Sequence, residues 1–213
     1  MDSDKTQKAM YRAPLVFDVL WQTYEWDQTF VRIHGQPQEF GQPLASEETE
    51  VRANALAREY VRCNEFERIR LGLHATPRGA RSDLMYLLGG SHARLVHEPK
   101  LWIPAGRDGE IIRDRYTSYG HNLSRYLADG AVNTVLDRHA EESARVIHST
   151  LRHYQIEDGI IVIGTGAVLA TYLAWALIGY GTGNYEKSLF RMKLRPWDRI
   201  RVEERSFQHL PLS

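Results

Sequence analysis

The sequence predicts an α/β protein, a three-layer α/β/α sandwich with a mostly parallel central sheet. Three observations predict it. Stretches of strand character alternate along the chain with stretches of helical period. One strand, Ile160 to Ile163, is apolar on both faces, as the middle of a parallel sheet requires. Two short loops, His34-Gly35 and Gly164-Thr165-Gly166, stand where strands end. In such sheets ligands bind beyond the carboxyl ends of the strands, so these two loops are the expected site loops.

Taken in order, residues 1–28 read as an extension that packs on the domain or on a partner. Within it, Leu15 to Trp26 carries Leu15, Val16, Phe17, Leu20, Trp21, Tyr24 and Trp26. That apolar load covers either the domain's own core or a second surface, because Trp and Tyr are enriched at both. It is the expected contact for a protein partner or a homo-oligomer. Thr29 to His34 is a β-prone run ended by Gly35, followed by a polar Gly/Pro/Gln loop to Pro43. From Ser46 the pattern is helical: Ser46 caps, Glu47 and Glu48 suit the first turn, and Ala53, Leu56, Ala57 and Tyr60 share one face.

A short strand over Ile69 to Leu73 precedes a second helix, Ala80 to Leu88, stopped by Gly89-Gly90. A third helix runs from Asn133 to Tyr154, with Leu136, Ser143, Ile147 and Leu151 on one side. The run Ile160 to Ile178 is broken by Gly164-Thr165-Gly166 and reads as strand, turn and buried helix rather than a membrane span. Arg199 to Arg205 alternates charged and apolar residues, as an edge strand does, and residues 204–213 form a C-terminal tail. The main domain is expected over 29–203.

Composition narrows the function. With 213 residues, 43% hydrophobic and 25% charged, the chain is long enough for one domain with a substantial core. Lys plus Arg equal Asp plus Glu at 27 each, which gives no field for a nucleic acid. A single cysteine, Cys63, cannot form an internal disulfide and is read as an inert thiol. The polar start, Met1-Asp2-Ser3-Asp4-Lys5, has no targeting pattern, so an intracellular setting is expected, either cytoplasm or an organelle interior. His139, His148 and His153 lie on one helix without the third ligand a zinc site needs, and Gly164-Thr165-Gly166 lacks the Gly-Lys-Ser/Thr ending of a nucleotide loop. Neither a metal nor a cofactor is expected.

Five segments in order carry a resemblance: Arg32-Ile33-His34-Gly35, Pro43-Leu44-Ala45 leading into Arg52-Ala53-Asn54-Ala55-Leu56-Ala57, Thr76-Pro77-Arg78-Gly79-Ala80-Arg81, Asp114-Arg115-Tyr116, and Gly164-Thr165-Gly166-Ala167. Together they resemble the histidine phosphatase superfamily, the phosphoglycerate mutase-like proteins, over Thr29 to Glu203. In that family the first strand ends in Arg-His-Gly and the last motif contains a second histidine. Here Ile33 stands for the arginine and Thr165 for the second histidine.

The resemblance implies that His34 is the nucleophile position and Asp114 the acid position. Arg32, Arg78, Arg81 and Thr165 then fall around an anion such as phosphate or a phosphorylated small molecule. Arg32 shares a strand face with His34, being two residues away. Two readings follow. In one the chain is a pseudo-phosphatase, a binding or scaffolding subunit that has lost the cations phosphoryl transfer requires. In the other it is an active or repurposed phosphomonoesterase working through His34.

Overall fold

The computed structural model describes residues 14–21, 46–75, 84, 87–102, 104–119, 128–179, 197–204 and 206–212. Six strands form one sheet: β1 (Leu15–Trp21), β2 (Ile69–His74), β3 (Arg94–His97), β4 (Gly159–Thr165), β5 (Arg199–Glu203) and β6 (Ser206–Leu210), in the order β3-β2-β4-β1-β5-β6. The first four strands in that order are mutually parallel, and β5 and β6 are antiparallel additions. The longest described helices are α1 (Ser46–Arg62), α2 (Gly106–Ser118), α3 (Gly130–His153) and α4 (Ala167–Gly179).

The sheet divides the core in two. On one face Val19, Leu73, Ile161, Ile163 and Ile200 meet α3 and α4 through Leu136, Ile147, Tyr172 and Leu173. On the other, Val16, Leu20, Ile160 and Val162 meet α1 through Ala53, Leu56 and Tyr60, with Leu84, Leu87 and Leu88 beside them. Every residue of β4 is buried, because the strand is covered on both faces. This is the predicted α/β/α sandwich.

Leu15–Trp21 corrects the expected domain plan. It is no extension: β1 lies between β4 and β5, pairing Leu15 with Gly159 and Trp21 with Thr165 on one side, and Leu20 with Arg199 on the other. A strand buried on both faces reads as a near-continuous apolar run, and that pattern resembles an interface segment when no sheet is in view. Residues 29–34, expected as the first strand, lie outside the described residues. The C-terminal end is corrected likewise. β5 is paired on both sides, and the supposed tail supplies β6, the outermost strand on that side among the described residues. The sheet therefore spans Leu15 to Leu210.

Asp18 interrupts the apolar run of β1 and is fully buried. It survives there because cations reach it from β5. Arg201 donates to both its oxygens at 2.8 Å, the Tyr60 hydroxyl donates at 2.6 Å, and Arg199 lies 3.5 Å away. Arg201 also donates to Glu65, and Arg199 to Glu59 at 2.6 Å. Burial works against the charge on Arg201, but its bonds to Asp18 and Glu65 outweigh it and raise its pKa. Burial, reinforced by Asp18, pushes the Tyr60 hydroxyl well above the ordinary phenol range, so it stays a donor. One charged layer thus ties α1, β1 and β5 together.

Candidate active site

The parallel strands β1, β2, β3 and β4 all end on the same side of the sheet, and that side is where the fold builds ligand sites. Trp21 and Thr165 are register partners at the ends of the two central strands. His74 and His97 are register partners at the ends of the outer two, their rings stacked with centroids 5.1 Å apart. His74 is buried, and the buried Ala75 follows it.

Thr165 is fully buried, and its hydroxyl donates to the Leu101 carbonyl at 2.8 Å. A threonine hydroxyl carries one proton, so this bond uses its donor capacity. The neighbouring carbonyls are held as well. Ser143 on α3 donates to Lys100 at 2.7 Å, and the His139 ring bonds the Trp102 carbonyl through Nε2. Three successive carbonyls of the turn around Pro99–Leu101 are thereby captured by side chains from β4 and α3. The turn itself begins on Glu98, whose carboxylate accepts from the Lys100 amide. Burial lowers the pKa of His139, with the Trp102 bond opposing it, and the contact with a carbonyl oxygen requires the hydrogen on Nε2.

Sequence reasoning named His139 only to set aside a zinc site and Ser143 only as part of one helix face, and assigned neither to this turn. The signal was present: the two are four apart on the helix face that carries Leu136 and Ile147, and a polar group at a core position must find a partner.

The other expected site residues divide in two. His34, Arg32, Arg78 and Arg81 lie outside the described residues. Asp114 is described, and it sits in the middle of α2 with its side chain exposed rather than beyond a turn. Its neighbour Arg115 faces Asp129, the capping residue of α3, at 3.5 Å. Asp129 accepts from Tyr119, Val132 and Ala131, and these bonds hold its carboxyl below the usual range. Tyr119 and Arg115 thereby tie the end of α2 to the start of α3. At the opposite end of β1 a cleft of about 440 Å³ opens between Leu15, His148, Leu151 and Arg152. Among the described residues no cluster of three or more His, Cys, Asp or Glu could hold a metal ion. None of the described helices is long and apolar enough to cross a membrane.

Comparison with solved structures finds the same α/β architecture at low sequence identity. The chain is similar to Bacillus stearothermophilus YhfR at 13% identity and a TM-score of 0.50, over 92% of this chain and 95% of that one. It is similar to a phosphoglycerate mutase from Bacillus anthracis at 11% identity and a TM-score of 0.49, over 94% and 93%. A third similar structure is that of open reading frame Rv3214 from Mycobacterium tuberculosis, at 13% identity and a TM-score of 0.49, over 94% and 96%. No protein-family model matches the chain, and no curated protein matches it by sequence. The likeness is one of fold.

Proposed function

We propose that the chain is a catalytically impaired histidine phosphatase-like protein that serves as a binding or scaffolding subunit, with an anion pocket formed by Arg32, Arg78 and Arg81 around His34. The observation that carries this reading is Thr165. It occupies the position where the resemblance expects a second histidine, and its only proton goes to the Leu101 carbonyl. It therefore gives a migrating phosphoryl group neither charge nor a hydrogen bond. Loss of one preorganised donor costs about 100-fold to 1,000-fold in rate, and here a charge is lost with it.

The register of β1 supports the same reading. The strand beside β4 ends on Trp21, thirteen residues before His34, so the nucleophile position of the resemblance does not stand at the end of that strand. The engaged hydroxyl also removes Thr165 from the proposed anion pocket and leaves the arginines to form it. The test is turnover of p-nitrophenyl phosphate across pH, for the parent chain and for a variant carrying Ile33→Arg and Thr165→His. The parent should be inactive while still binding inorganic phosphate in a titration that Arg78→Ala and Arg81→Ala weaken. Robust parental turnover abolished by His34→Ala would favour the phosphomonoesterase reading.

A further inference from the structure

The end of the sheet that carries Thr165 also carries two imidazoles that neither the resemblance nor the proposed pocket uses. His74 closes β2 and is the register partner of Gly164 on one side and of His97 on the other. The pair therefore lies next to the Gly164-Thr165-Gly166 loop, at the carboxyl end of the parallel strands, where this architecture places ligands. The two rings stack with an interplanar angle of 26°. His74, 3% exposed, is the inner ring, and the exposed His97 is the outer one.

The outer ring is held in place. Stacking on a buried partner sets its plane, and the backbone beside it is tied down. The Glu98 amide donates to the His74 carbonyl at 2.9 Å, and the Glu98 carboxylate accepts from the Lys100 amide at 3.0 Å. Among the described residues the nitrogens of the His97 ring have no hydrogen-bond partner. A neutral imidazole offers one N–H donor and an imidazolium two, so this ring presents at least one donor to an acceptor arriving from solvent. No third His, Cys, Asp or Glu joins the pair in a metal-holding group among the described residues, and an anion is the ligand that such a donor suits.

Chain connectivity ties the pair to the pocket proposed above. Arg78 follows His74 by four residues, and a chain advances at most about 3.6 Å per residue, so the two Cα atoms lie within about 14 Å on any path. His34 is under no such bound, because thirteen residues separate it from Trp21. We propose that His97 contacts the bound anion, a phosphate or phosphomonoester, by donating a ring N–H to one of its oxygens, with its plane set by the stack on His74. The inference rests on the reading of the site as an anion pocket and adds a residue to it.

Titration of the full chain with inorganic phosphate tests it, by calorimetry for affinity and by NMR of the histidine ring protons, assigned with single variants. Phosphate should bind the parent and shift the ring signals of His97, while those of His153, in the last turn of α3 at the other end of the sheet, stay in place. His97→Ala should weaken binding by about tenfold, and His97→Lys, which restores a donor, should recover most of it. His97 is exposed, so both variants should keep the parental circular dichroism. A parent that does not bind phosphate would overturn the anion-pocket reading and this inference with it. Binding that Arg78→Ala weakens but His97→Ala does not, or His97 signals that do not move, would leave the pocket standing and overturn the role of His97 alone.

Discussion

Thr165 and Asp137 show how far single side chains determine the behaviour of this protein. Replacing Thr165 by valine keeps the shape and removes the proton, leaving the buried Leu101 carbonyl without that donor. The expected cost is about 1–3 kcal/mol, read as a lower urea midpoint, with Thr165→Ser close to the parent. Asp137 on α3 works in the opposite sense. One of its carboxylate oxygens is buried with no hydrogen-bond partner among the described residues, and burial, with Glu141 one turn away, pushes its pKa from 3.8 up to about 6. An acid whose folded pKa exceeds its unfolded value stabilises most below the unfolded value and loses that contribution as pH rises through the folded one. Asp137→Asn should therefore match the parent near pH 4 and exceed it at neutral pH. Discounted for partial exposure, the gain is about 1 kcal/mol. Thermal unfolding at both pH values checks it, and a gain that does not grow with pH would contradict it.

Among the elements, β1 depends most on its neighbours. Asp18 is stable in the sheet only with Arg201 and Arg199 beside it, so Asp18→Ala leaves two buried guanidinium groups short of a partner. Breaking a buried ion pair costs about 3–5 kcal/mol, a large share of the roughly 5–15 kcal/mol typical of a folded domain. Guanidinium denaturation should show that loss, and a change below about 1 kcal/mol would mean the layer is not structural. The same residues explain what was legible. Ser46–Arg62, Ile69–His74 and Gly159–Thr165 announce themselves by cap, period or apolar run. β1 did not, because recognising it requires knowing that the arginines of β5 neutralise Asp18 from 183 residues away. Gly106–Ser118 was hidden by two glycines, one of them at φ +66 and the other with a Cβ position only 2.1 Å from the Pro104 carbonyl oxygen. Both glycines belong to the backbone path into the helix, and local propensity reads them as a loop.

At the scale of the whole molecule, alternation of strand and helix and one doubly buried strand were enough for the layer architecture, because those patterns follow from burial alone. The site was less legible. Sequence order located the loop at Thr165 correctly at the end of β4, but it could not show that a turn 64 residues earlier takes the hydroxyl proton. Nor could it show that the strand paired with β4 is Leu15–Trp21. Both facts depend on contacts across the sheet, which no local pattern encodes.

On the reading proposed above, this fold holds an anion without transferring phosphoryl groups. Rapid-quench mixing of the full chain with p-nitrophenyl phosphate tests it most directly, by measuring nitrophenol released in the first turnover together with acid-labile phosphate bound to protein. The account predicts neither a burst nor a phosphoenzyme. A burst approaching one equivalent per chain, with phosphate on histidine and both signals lost in His34→Ala, would contradict it.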